Sequence, residues 1–193
     1  MRFLVVVSLV VASFIAACAP APVLNPDKER RQQGKQDIER TVELDTAPGG
    51  IVTTRDGKSV DLATLWESQP VVVVFYRGHW CPHCQYQFGE LQKHKQDFID
   101  RGVNVVGISS DDPADLNTMR DKVGLTFDLY SDAGLVVIQK WGVEDFGNSI
   151  AKPATFIVNP GGSISFQKVG ERPDDRPSVD QILAALGPPK PAT

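Results

Sequence analysis

The chain has 193 residues, 41% hydrophobic and 23% charged, enough for one domain with a substantial core and unlike a disordered tail or a multipass membrane protein. Twenty basic against 24 acidic side chains give no basic face for nucleic acid. Three cysteines are too few for a disulfide-stapled scaffold, so each is read by itself.

Arg2 precedes an apolar run from Phe3 to Ala17, broken only by Ser8 and Ser13. That length fits the apolar core of a secretory signal better than a membrane span, which needs roughly twenty residues. Apolar residues fall on every face, so no amphipathic core helix can be drawn. The run ends Ile15-Ala16-Ala17-Cys18, which resembles the bacterial lipobox. The resemblance implies cleavage before Cys18 and acylation of its thiol; an ordinary signal cut near Ala17 or Ala19 is the alternative. Two or more acyl chains give a stable anchor, and by analogy with lipoprotein sorting in enteric bacteria, Ala19 after the cysteine implies the outer membrane of a bacterial envelope, with the domain in the periplasm. Residues 19–37 are Pro-rich and then charged, which reads as a tether. The expected organisation is a signal over 1–17, a lipidated cysteine and tether over 18–37, one domain over 38–187 and a tail over 188–193.

The pattern becomes regular at Ile51. Ile51 to Thr54 and Ser59 to Leu62 flank Arg55-Asp56-Gly57-Lys58, and Asp-Gly signals a hairpin. Val71 to Tyr76 is a continuous β-branched and aromatic run, expected of a strand buried on both faces. Cys84, Phe88, Leu91, Lys95 and Phe98 then recur at steps of four and three, predicting one helix that ends at Gly102. On that helix Phe88, Leu91 and Phe98 read as core and His94 as surface. A second buried strand follows over Val103–Ile108. Asp112-Pro113 starts a helix, as N-cap and first helical residue. A short strand over Leu125–Tyr130 and a helix over Ala133–Trp141 come next, and Trp66 and Trp141 read as core or rim aromatics. Ala154–Val158 is a strand, Asn159-Pro160-Gly161-Gly162 a turn, Ser163–Val169 its antiparallel return, and Ser178–Leu186 a closing amphipathic helix. Parallel crossovers early and an antiparallel hairpin late predict a mixed α/β sheet with helices on both faces.

The segment that carries chemistry runs from Val71 to Cys84. A buried strand emits a short loop, and Trp80-Cys81-Pro82-His83-Cys84 opens a helix. Two cysteines three apart at a helix start can close a small disulfide ring, and the first meets the free N–H groups and positive end of the helix. Both effects favour the thiolate, the nucleophile of disulfide exchange. A metal reading uses His79, Cys81, His83 and Cys84, whose nitrogens and sulfurs suit zinc or copper; four ligands within six residues at a helix start converge poorly, so no metal is expected. The non-enzymatic alternative is a metal carrier built on that loop.

These residues resemble the thioredoxin-like superfamily, specifically its exported redoxin branch of TlpA-like and AhpC/TSA-like proteins, over about Ile38 to Leu186. Trp80-Cys81-Pro82-His83-Cys84 matches the thioredoxin-type active site. Lys152-Pro153-Ala154-Thr155-Phe156 matches the segment whose proline is cis and faces the cysteines, and Phe127 to Asp132 with Trp141-Gly142-Val143 matches the redoxin insertion. The resemblance implies a redox-active Cys81–Cys84 disulfide and supporting roles for Trp80, Pro82, His83, Pro153, Thr155 and Arg77. It also implies that no organic cofactor is needed, because the dithiol stores the two electrons. Two reactions fit. In thiol-disulfide exchange, the expected one, Cys81 attacks a protein disulfide and Cys84 resolves, with Pro153 positioning the partner chain. In the peroxiredoxin alternative Phe75-Tyr76 aligns on a Phe-Tyr-Pro motif, Cys84 takes the peroxidatic position and Cys81 that of a hydroxyl. Arg77 then replaces a proline and Pro153 stands at the family's second arginine. Expected partners are protein thiols or disulfides, or a hydroperoxide, together with a separate redox partner.

Overall fold

The computed structural model describes residues 43–189. The signal, Cys18, the tether and residues 190–193 lie outside the described residues. The Asp-Gly hairpin forms as β1 (Ile51–Thr54) and β2 (Ser59–Asp61), followed by a 3-10 turn over Leu62–Trp66 that the Asp61 side chain caps through Ala63 N–H at 3.0 Å. The continuous apolar run is β3 (Val71–Phe75), with every residue buried. Its neighbours are β4 (Asn104–Ser109) and β5 (Asp128–Ser131), paired parallel in the order β3-β4-β5. On the other side of β3, β8 (Ala154–Val158) and β9 (Ile164–Val169) run antiparallel, completing a seven-stranded sheet in the order β2-β1-β5-β4-β3-β8-β9. The central position of β3 explains its sequence, since a strand covered on both faces has no use for alternation.

One face of the sheet carries Val72, Val74 and Tyr76 beneath α1 (Pro82–Lys93), α3 (Pro113–Val123) and α5 (Val179–Leu186). The other carries Val71, Val73 and Phe75 against Leu62, Trp66, Val137, Ile138 and Trp141, the last from α4 (Val136–Lys140) and its C-terminal end. Helical elements therefore cover both faces, as expected, and Trp66 and Trp141 are core.

Several boundaries differ from the sequence reading. The single helix expected from Cys84 to Gly102 breaks at His94, whose φ of −96° and ψ of 17° leave the helical region, and resumes as α2 (Lys95–Ile99). His94 is half-buried at this break and pairs with Asp97 at 2.9 Å. The strand expected from Leu125 starts only at Asp128, because Leu125 and Phe127 turn into the helix-covered core before any ladder begins. The helix expected from Ala133 starts at Val136, where the Asp132 carboxylate accepts Ile138 N–H at 2.7 Å and acts as its anchor. A small hairpin, β6 (Glu144–Asp145) with β7 (Ile150–Ala151), forms in a stretch too short and polar to be read as strands.

Candidate active site

Gly78 bends the chain out of β3 with φ of +153°, and a Cβ there would lie 2.5 Å from Trp80 Nε1 and 3.0 Å from Asp111 Oδ1. Only glycine fits this turn. The following loop is fixed by the β4–α3 connection: His79 N–H donates to Asp111 Oδ2 at 2.7 Å, and His79 Nδ1 lies 3.4 Å from Asp111 Oδ1 and 3.7 Å from Asp115 Oδ1. Gln85 Nε2 donates back to the His79 carbonyl at 2.7 Å. The His79 ring is thus engaged by Asp111 and Asp115. The four ligands of the metal reading do not converge, and His83 lies exposed on the first turn of α1.

Cys81 is the N-cap of α1, with Pro82 at the first helical position, and its sulfur accepts Cys84 N–H at 3.4 Å. Cys81 and Cys84 are both free thiols in this structure, the reduced form of the expected redox pair, and neither has any solvent-exposed surface. The two thiols share one proton. A hydrogen bond from the Cys84 thiol pulls Cys81 down to about 6 against the opposing effect of burial, and Cys84 N–H and the charges of Arg176 and Arg77 assist. The same hydrogen bond, with burial, pushes Cys84 far above the ordinary thiol range. At neutral pH the pair is a monoanion, a property of the pair rather than of one sulfur. Arg77 also stacks over the half-exposed Trp80 ring, 5.2 Å from its centroid, so it is tied to the active loop.

This ionisation sets a pH profile for the reduced protein. Below about 6 both states hold both thiol protons. Between about 6 and the ordinary value of 9.0 the unfolded chain binds one more proton than the fold, so stability rises with pH. Above it the unfolded chain loses both protons while the fold keeps one, and stability falls. Denaturant melts of the reduced protein are expected to show a maximum near the ordinary thiol pKa, absent from a Cys81→Ser, Cys84→Ser double variant.

The residue that sequence reasoning missed is Arg176. Its Nη2 donates to Cys84 Sγ at 3.1 Å, its Nη1 to Gln87 Oε1 and its Nε to the Pro173 carbonyl at 2.8 Å. Gln87, one turn after Cys84 and buried, donates to Thr155 Oγ1 on β8 at 3.4 Å. Thr155 thus supports the site through Gln87 and Arg176. Arg176 is held by a tight loop after β9: Lys168 pairs with Asp175 at 2.9 Å, and Asp175 Oδ2 accepts Glu171 N–H at 3.2 Å. Gly170 N–H closes the loop onto the Pro153 carbonyl at 2.7 Å.

That last contact corrects the reading of Pro153. The described residues contain no cis peptide bond, so the Lys152–Pro153 bond is trans. Lys152 N–H is already committed to the Val143 carbonyl at 2.7 Å and is not free for an incoming chain. Buried Pro153 instead anchors the loop that carries Arg176. Gln87 did carry a sequence signal, as an amide on the buried face of α1 between Cys84 and Phe88. Arg176, 92 residues from Cys84, carried none.

A reduced dithiol at a helix start, above a mixed sheet and held by a guanidinium, defines a thiol redox protein of thioredoxin-like fold. Residues 44–167 match the model of the AhpC/TSA family, and the chain belongs to that family. A Mycobacterium tuberculosis protein named "Putative peroxiredoxin Rv2521" is 36% identical over 126 residues, 62% of this chain and 80% of that protein. The chloroplastic peroxiredoxin Q of Oryza sativa subsp. japonica is 31% identical over 121 residues, of which this chain spans 55% of the relative's length. Among solved structures, the peroxidoxin BcpB of M. tuberculosis superposes with a TM-score of 0.66 at 23% identity, over 74% of this chain and 94% of that one. The peroxiredoxin-like protein of Aquifex aeolicus gives a TM-score of 0.63 at 21% identity, over 75% and 87%. These superpositions establish the fold, and the family makes the chain a redox enzyme. Arg176 lies beyond the matched segment.

Proposed function

We propose that this enzyme reduces hydroperoxides at Cys84, with Cys81 as the resolving thiol. The observation that carries the reading is the Arg176 guanidinium 3.1 Å from Cys84 Sγ. Cleaving an O–O bond places negative charge on the leaving oxygen, and a fixed cation at the attacking sulfur stabilises it. The sequence offered Pro153 where an arginine belongs; Arg176 supplies the charge from another element. Full burial of both cysteines supports the same reading, since a hydroperoxide needs far less clearance than a protein disulfide.

The cycle balances. The Cys84 thiolate attacks the distal peroxide oxygen, giving Cys84 sulfenic acid and an alkoxide that is protonated to the alcohol. Cys81 then displaces water to give the Cys81–Cys84 disulfide, and an external dithiol returns two electrons and two protons. Because the pair is a monoanion, moving one proton across its S–H···S hydrogen bond places the charge on Cys84.

A second reading has Cys81 attack protein disulfides, favoured by its low pKa of about 6 and the half-exposed Trp80 beside it. Stopped-flow fluorescence of the reduced protein mixed with hydroperoxide separates the two. Oxidation orders of magnitude faster than a free thiol's, lost in Cys84→Ser but retained in Cys81→Ser, is the expected result. Free-thiol speed would remove peroxide reduction and leave exchange through Cys81.

We further propose that the enzyme works in a bacterial envelope, held by lipid on Cys18, which the lipobox-like Ile15-Ala16-Ala17-Cys18 and the tether-like composition that follows support. Mass spectrometry of the membrane-extracted protein tests this: a diacylated or triacylated N-terminal Cys18 is expected, and an unmodified N-terminus near Ala19 would overturn it.

A further inference from the structure

His83, Tyr86, Gln87, Glu90 and Leu91 follow the i, i+3, i+4, i+7 spacing of a single helix face on α1. With the segment that leads into α5 they enclose a cavity of about 410 Å³, the size of a small-molecule site. Buried Leu91, Pro177 and Ile182 line it, and half-buried Val179 joins them. Tyr86 lines it too, yet keeps 71% of its surface exposed. A large exposed aromatic beside an apolar hollow is binding surface without a partner. The cavity also reaches the surroundings of the reactive sulfur. Arg176 and Gln87 are among its walls; Arg176 Nη2 donates to Cys84 Sγ at 3.1 Å and Nη1 donates to Gln87 Oε1. Cys84 itself has no solvent-exposed surface, so the hollow stands one side chain away from a buried nucleophile.

We propose that this cavity is the subsite for the carbon chain of an uncharged organic hydroperoxide, and that Tyr86 and Val179 set the preference for it over hydrogen peroxide. The inference rests on the peroxide-reducing reading above. The peroxide group meets Arg176 and Cys84 at one end of the cavity, and the chain lies along Leu91, Val179 and Ile182 under the Tyr86 ring. Apolar surface buried there leaves water, a gain that hydrogen peroxide cannot have. The charges select against an acidic tail. Among the described residues lining the cavity, Arg176 is the sole permanent cation, and it is committed to Cys84, Gln87 and the Pro173 carbonyl. Glu90, Asp174 and Asp180 contribute three carboxylates, and a carboxylate on the chain would be repelled by them. When the Cys84 thiolate attacks, the distal oxygen passes to sulfur and the O–O bond breaks. The chain is left as an alkoxide, takes a proton from water and leaves the cavity as the alcohol.

The test is single-turnover oxidation of the reduced full chain by hydrogen peroxide, by cumene hydroperoxide and by cumene hydroperoxide carrying a para-carboxylate. Wild type is expected to react faster with cumene hydroperoxide than with either of the others. Tyr86→Ala and Val179→Asp are each expected to lower the ratio of the cumene hydroperoxide rate to the hydrogen peroxide rate about tenfold, the scale for a lost apolar contact in a substrate pocket. A merely structural role would slow both substrates together and leave the ratio where it was. Fast oxidation by hydrogen peroxide with no preference for cumene hydroperoxide, or a ratio unchanged in both variants, would overturn the subsite and leave peroxide reduction standing. Equal rates with and without the para-carboxylate would overturn the selection for uncharged chains. All three hydroperoxides at free-thiol speed would overturn the subsite and peroxide reduction together. Should Val179→Asp fail to fold, the exposed Tyr86 decides through Tyr86→Ala.

Discussion

Replacing Arg176 with methionine will slow oxidation of Cys84 by hydroperoxide about 100- to 1,000-fold, the range for removing one preorganised charge from a developing oxyanion. Methionine keeps much of the length and removes the cation and all three donated hydrogen bonds. The first thiol ionisation should rise, since the Arg176 charge favours both thiolates. Loss of the guanidinium also leaves the buried Gln87 carbonyl oxygen unpaired, at about 1–3 kcal/mol, so the variant is to be compared at a temperature where melts show it folded. Arg176→Lys separates charge from geometry. Lysine restores a cation but cannot span Cys84, Gln87 and the Pro173 carbonyl together, so partial recovery is expected. An unchanged peroxide rate in Arg176→Met would remove the observation on which peroxide reduction rests.

The largest effect on stability is expected at Trp141. It is fully buried at the end of α4, with ring centroids 6.1 Å from Trp66, 5.2 Å from Phe75 and 4.9 Å from Phe156. Trp141→Ala should cost about 3–5 kcal/mol, a fall in Tm on the order of 10 °C for a domain of this size. Trp141→Phe should cost much less. It keeps the aromatic contacts and removes an indole N–H that has no partner. Urea unfolding measures both, and a Trp141→Ala cost below about 1 kcal/mol would mean that this aromatic cluster is not the centre of the core. Because Trp141 packs on the sheet face opposite Cys81 and Cys84, the peroxide rate of the folded variant should stay at wild type. Arg176→Met shows the converse, a large loss of rate with a modest loss of stability.

Local chemistry wrote the reactive loop into the sequence. The apolar run from Val71 needs cover on both faces, Gly78 permits the turn, and Cys81-Pro82 caps and starts a helix. Each signal acts within a few residues, so the dithiol, its setting and the parallel order of β3 and β4 follow without coordinates. The lipobox-like segment is local in the same way. Elements also failed where tertiary contacts overrode pattern: α1 breaks at His94 within a helical period, and Leu125 and Phe127 join the core before a strand forms.

The chemistry around the dithiol was settled only by folding. Pro153 was legible as a residue of the site, but its trans bond and its carbonyl bond to Gly170 depend on where β8 and β9 lie. Asp111, beside the Asp112-Pro113 helix start, was not singled out, and it is the parallel pairing of β3 with β4 that brings it to His79. Arg176 sits in a charged, proline-flanked stretch that resembles any surface loop until β9 and its ion pairs carry it back to Cys84. The sequence by itself determined a mixed α/β sheet and a Cys-Pro-His-Cys helix start, because those signals are local, and the thioredoxin-like fold came with the family resemblance those residues carry. Which sulfur meets a guanidinium was decided by tertiary structure, because that contact joins residues 92 positions apart and no local pattern encodes it.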